Sequence, residues 1–151
     1  MGLIKKNRLN TMSYDLSKLH RSQDFKIGIC YYDPIRESLI NVGHNSGEIL
    51  GADPYRHVMH KFMLVTGKTD SISRIVVKAI GTDELRAAFD IKLLFANTRP
   101  SLMSFEEQPS FNEIEVNQQV QPNSIIPFYI YIKANSDISK MSELPIEVYY
   151  E

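Results

Sequence analysis

Intramolecular disulfides are excluded from the start, because the chain has one cysteine, Cys30, and no second thiol for it to pair with. No Asn-x-Ser/Thr sequon occurs, and the opening Met-Gly-Leu-Ile-Lys-Lys-Asn lacks the continuous apolar core of a signal peptide. These absences point to synthesis in a reducing cytosol and to no recognisable address. No apolar run approaches the roughly 20 residues that carry a helix across a bilayer, so a soluble chain without a membrane partner is expected. Gly2 would suit N-myristoylation, but Lys6 stands where that motif requires Ser or Thr. Charge of one sign is also missing. Seventeen Lys and Arg against 18 Asp and Glu leave a net charge of -1, which gives no electrostatic case for nucleic acid. There is no internal repeat and no low-complexity tract.

What is present is an ordinary globular composition, with 43% hydrophobic and 23% charged residues in 151. A chain of this length buries about two-thirds of its unfolded surface and needs no metal or disulfide to fold. Its dominant pattern has period 2. In residues 88–95, Phe89, Ile91, Leu93 and Phe95 fall on one side of an extended chain and Asp90 and Lys92 on the other. Asn97, Thr98, Arg99 and Pro100 then break the strand. Similar alternation predicts strands over 25–31, 57–65, 73–80, 112–120, 125–134 and 144–150, with a weaker one over 35–42. Within 125–134, Ile126, Phe128, Ile130 and Ile132 make a core face and Tyr129, Tyr131 and Lys133 an outer one, while Pro127 suits an edge or a strand beginning. Residues 81–84 are expected to turn, or to form one helical turn capped by Thr82 or Asp83, and 100–111 to be an irregular connection. A single helix over 83–97 is rejected, since alternation after Ala88 is strict.

Seven or eight short strands with almost no helix predict an all-β, antiparallel β-sandwich of immunoglobulin-like or jelly-roll type. Residues 1–24 carry only scattered apolar side chains and are read as an extended N-terminal arm; residues 25–151 form the sandwich domain.

Candidate chemistry is sparse. Gly67-Lys68-Thr69 imitates the end of a phosphate-binding loop, but Phe62 stands where the first glycine belongs, so a turn is expected. His57 and His60 would share a helical face, yet in a strand they point to opposite faces and cannot share a metal. His44 and His20 have no neighbouring carboxylate or cysteine pattern, and Cys30 reads as a structural thiol. Tyr129, Tyr131, Tyr149 and Tyr150 offer either an aromatic platform or plain cross-strand packing. No cofactor, metal or catalytic residue is assigned.

Charge is distributed unevenly along the chain. Residues 1–24 hold Lys5, Lys6, Arg8, Lys18 and Arg21 against Asp15 and Asp24, a net of plus three. Residues 101–122 hold Glu106, Glu107, Glu113 and Glu115 with no Lys or Arg. A basic arm laid on the acidic strip of a neighbouring subunit would gain steering and register, so these nine residues form the candidate partner interface.

The segment AFDIKLLFANTRPSLMSFEEQPSF, residues 88–111, combines a hydrophobic strand, a small-polar-Pro-Ser turn and an aromatic-acidic stretch. In this it resembles small β-sandwich virion proteins of tailed bacteriophages, over 77–111 and more loosely over the two closing strands; Glu107-Gln108 replaces the Asp-Asn common in that pattern. The resemblance implies a non-enzymatic structural component, an auxiliary or decoration protein made in the host cytoplasm and carried in the virion. Its partners would be the major capsid protein, another virion protein or copies of itself, joined through the arm. Two rivals stand beside it. A carbohydrate-binding or adhesion module would use the exposed tyrosines or the loop over 43–54, and a jelly-roll enzyme would need three convergent polar side chains, a trio that the order of residues does not propose.

Overall fold

The computed structural model describes residues 20–21, 27–33, 38–41, 52–67, 71–135, 137 and 145–151. Nine strands appear among them: β1 (His20–Arg21), β2 (Ile27–Asp33), β3 (Ser38–Asn41), β4 (His57–Thr66), β5 (Ile75–Ala79), β6 (Phe89–Phe95), β7 (Glu113–Val116), β8 (Ile125–Ala134) and β9 (Ile146–Tyr150). They make a four-stranded sheet in the order β1-β9-β5-β7 and a five-stranded sheet in the order β3-β2-β4-β8-β6. Every strand pair is antiparallel.

The order is nested. β1 pairs with β9, β4 with β8 and β5 with β7, and successive pairs alternate between the sheets. First-with-last nesting of this kind is jelly-roll winding, and it differs from the immunoglobulin order, in which the first strand pairs with the second. The β2–β3 hairpin extends the β4 edge of the five-stranded sheet. Phe62, Leu64, Ile91, Leu93, Phe128 and Ile130 from one sheet and Ile75, Val77, Ile114 and Val148 from the other close a single buried core. At roughly 1.5–3 kcal/mol for each large apolar side chain taken from water, this layer drives the fold.

Two short helices interrupt the strands. Helix α1 (Asp83–Ala88) begins where a helical turn was expected and runs longer, because Thr82 Oγ1 accepts the Leu85 N–H at 3.2 Å, Asp83 and Glu84 lie in the first turn and Arg86 in the last. Helix α2 (Leu102–Glu106) corrects the irregular connection expected over 100–111. Five residues cannot hold a helix alone; burial of Phe105 against the five-stranded sheet fixes this one.

Strand β7 is also shorter than the alternation over 112–120 suggested. Its last partner is Ile75, where β5 begins, so the ladder stops at Val116 and resumes only as the isolated bridge Ile72–Val120. Pro127 lies one residue outside the β6 ladder, which ends at Phe128, and there that flank of β8 is an open edge.

The other edge of β6 is closed by side-chain chemistry. The Asn112 amide accepts the Leu93 N–H at 2.7 Å and donates to Leu93 O at 2.9 Å and to Gln108 Oε1 at 3.1 Å, while Phe111 N–H donates to Ile91 O at 2.6 Å. Asn112 O accepts from Ala79 N–H of the opposite sheet at 3.0 Å. One buried residue thus imitates a ladder rung on one sheet and supplies a backbone acceptor to the other. The turn that delivers it puts Phe111 at φ 56, and the Phe111 ring packs so close to Gly81 that a Cβ there would stand 2.5 Å from it. The Arg86 guanidinium covers the ring at 4.6 Å.

Residues 1–19 and 43–51 lie outside the described residues, and so does most of the expected arm. Its residues His20 and Arg21 pair with Tyr150 and Tyr149 at the edge of the four-stranded sheet.

Candidate functional site

On the outer face of the five-stranded sheet, strand alternation presents His57 from β4, Asp90 and Lys92 from β6, and Tyr131 and Lys133 from β8. Register brings them together: His57 lies opposite Lys133, Lys133 opposite Asp90, and Lys92 opposite Tyr131. Helix α2 closes over them, with Phe105 stacked on Tyr131 at 5.4 Å between ring centroids and His57 stacked on the same ring at 5.8 Å. His57, Lys92, Leu102, Phe105, Glu106 and Tyr131 line a half-open pocket of about 120 Å³.

The pocket is small. Sites for whole small molecules occupy roughly 300–1,000 Å³, so this one has room for a single side chain. Burial raises the Tyr131 hydroxyl above its ordinary pKa, and the Asp90 and Glu106 carboxylates raise it further, which marks that end of the pocket as electronegative. Lys92 Nζ is 3.9 Å from Asp90 Oδ2 and is drawn to that side. Leu102, which lines the pocket, is exposed, and its neighbour in α2, Met103, is 72% exposed, two large apolar side chains presented to solvent on one turn of helix.

The residues assigned to the partner interface separate. Lys5, Lys6, Arg8 and Lys18 lie outside the described residues, and Arg21 is placed by its backbone in β1. Glu106 and Glu107 are exposed at the end of α2, beside the pocket. Glu113 and Glu115 lie instead on the outer face of the four-stranded sheet. Glu113 pairs with Lys78 at 3.6 Å, and Glu115 is 4% exposed, opposite the buried Val76. The acidic strip is therefore two patches on two sheets, and Glu115 is not on the accessible surface.

Of the two readings open for the tyrosines, packing holds for Tyr129. Tyr129 was expected on an outer face but is 7% exposed, because the chain after β6 turns back over that face: Lys61, its β4 neighbour in register, donates to Asn97 O at 3.1 Å. Burial raises the Tyr129 hydroxyl, against the opposing charge of Arg99. The Tyr131 ring is already stacked on His57 and Phe105.

The convergence of His57, Lys92, Glu106 and Tyr131 was not foreseen. The sequence sets His57 only against His60 and places Glu106 only in the acidic half of the partner interface. The two imidazoles do lie on opposite faces of β4: His57 is exposed, while His60 lies on the inner face, where burial lowers it from 6.5 to about 4. Cys30 is half-buried, and burial raises its thiol. Among the described residues no group of three or more His, Cys, Asp or Glu could hold a metal ion.

Comparison of the chain with protein-family models, with curated proteins and with solved structures finds no match in any of the three.

Proposed function

We propose that this chain is a non-enzymatic structural component of a bacteriophage virion, an auxiliary or decoration protein that binds the capsid and joins neighbouring subunits. The virion attribution rests on the resemblance carried by residues 77–111. Adhesion has a separate support, the exposed Leu102 and Met103 beside a pocket sized for one side chain. Anchors of protein interfaces have this form, an apolar rim around a cleft that desolvates one inserted group. A jelly roll whose β6 edge is covered at Ile91 and Leu93 supplies a stiff body that presents the rim.

Catalysis is the second reading that the pocket raises, since His57, Lys92, Glu106 and Tyr131 line it together. An acid–base or nucleophilic site needs a base within hydrogen-bond reach of the group it activates and a partner that orients the base. Among the described residues no hydrogen bond joins His57 to Glu106, Lys92 or Tyr131, and His57 is held by stacking. Binding is the reading that this geometry favours. The carbohydrate reading loses two of its four tyrosines, since Tyr129 is buried and the Tyr131 ring is stacked on His57 and Phe105.

Co-sedimentation of the full chain with particles of the phage that encodes it tests the proposal. Saturable, stoichiometric binding is expected, and replacing Lys5, Lys6, Arg8, Lys18 and Arg21 together by Gln is expected to weaken it. Absence of binding to intact particles at micromolar concentration would overturn it.

A further inference from the structure

The pocket on the five-stranded sheet has features that select one kind of side chain. Its floor and one wall are aromatic, Tyr131 and Phe105, stacked on each other at 5.4 Å between ring centroids. Its mouth carries the Glu106 carboxylate, with Glu107 next to it and Asp90 behind Lys92. Burial first, and then the Asp90 and Glu106 carboxylates, hold the proton on the Tyr131 hydroxyl. An arginine suits this combination best, because its planar guanidinium donates two N–H groups to one carboxylate while its stem lies along apolar surface. A lysine would satisfy the charge as a single point donor, without the fork.

The occupant can be narrowed by charge. Residues 101–122, which contain α2, have four glutamates and no basic residue, and residues 1–24 carry a net of plus three with apolar side chains such as Leu3, Ile4 and Leu9 among the basic ones. An apolar residue next to a cation is what the exposed Leu102 and Met103 would cover. We propose that the pocket formed by Phe105, Tyr131 and Glu106 receives a basic side chain, with Arg8 the best fit, from residues 1–24 of a neighbouring copy of this chain. This deepens the adhesive reading above and rests on it, because it names the contact by which copies are joined.

The test uses the full-length chain carrying methyl-¹³C methionine, with the methyl of Met103, next to Leu102 in α2, as the reporter, and a synthetic peptide of residues 1–24 as the probe. A saturable shift of the Met103 signal is expected, weakening as salt is raised. Glu106→Lys should raise the dissociation constant at least about tenfold, and Arg8→Gln in the peptide should raise it severalfold. Leu102→Ser gives a second variant with the charge intact; it should weaken binding and keep the salt dependence. An unmoved Met103 signal at millimolar peptide would overturn the proposal. So would equal binding by a peptide with all five basic residues replaced by Gln. Particle co-sedimentation of the wild-type chain separates the two levels: particle binding with a silent Met103 removes the pocket assignment alone, and a responsive Met103 without particle binding keeps the pocket and removes the virion reading.

Discussion

On the outer face of the four-stranded sheet, Lys78 stands in register between Glu113 and Glu147, Arg74 pairs with Glu151 at 3.1 Å, and Tyr149 donates to Glu147 at 3.0 Å. On the outer face of the five-stranded sheet, a helix of five residues lies across the strands, buries Phe105, and leaves Leu102, Met103 and Glu106 at the surface. Both faces hold carboxylates, but the first neutralises them within the sheet and the second leaves two of them beside a pocket. The difference follows from what covers each sheet. Pairing in register satisfies a face with side chains already on the strands, whereas a connection folded over a face brings side chains of its own and leaves their outer surface unmatched.

The largest effect expected from this contrast is at Phe105. Phe105→Ala removes a fully buried ring that pins α2 and should cost about 3–5 kcal/mol in urea unfolding. It should also free the Tyr131 ring, so a loss much below this range would mean that α2 is held by something other than Phe105.

The interior beneath that face supplies the next effect. His60 is held neutral in the folded chain, at about 4 against 6.5 when unfolded, so the unfolded state binds the extra proton between these values. Stability should therefore fall as pH drops from 6.5 towards 4, by up to about 3 kcal/mol, and change no further through this group below 4. Comparing pH-dependent unfolding of the wild type with His60→Leu isolates it: the variant should lose less stability over that interval, and parallel curves would contradict the assignment.

At the edge of the same sheet, Asn112→Ala leaves the Leu93 N–H and C=O without their amide partner, and about 2 kcal/mol of destabilisation is expected. Hydrogen exchange should show the Leu93 amide losing protection. Glu113→Gln, on the contrasting face, removes a half-exposed ion pair with Lys78 and should cost less than about 1 kcal/mol. A cost equal to that of Asn112→Ala would erase the distinction drawn between the two faces.

Much of the framework was legible in the sequence. β6 and β8 alternate so strictly that their cores, Phe89 to Phe95 and Ile126 to Ile132, were visible without any partner. The end of β7 was not, because a ladder stops where its partner stops, and the start of β5 is no property of residues 113–120. Helix α2 was hidden for a different reason: five residues with one buried position have no period to detect. The pocket was the least legible feature. His57, Lys92 and Tyr131 lie on separate strands, and alternation placed each of them outward, but only register sets Lys92 against Tyr131 and His57 beside both. Outward polar residues on three strands were the available signal, and their pairing is a tertiary fact. Glu115 failed in the opposite direction. A charged residue at an outward position of β7 was read as accessible, and neighbours on the same face bury it.

Cryo-electron microscopy of phage particles saturated with the full chain addresses the proposed adhesion most directly. Adhesion through the α2 face would give added density at regular positions on the particle, with that face turned towards a neighbouring protein. Particles identical with and without the protein, or bound copies whose α2 face points into solvent, would contradict it.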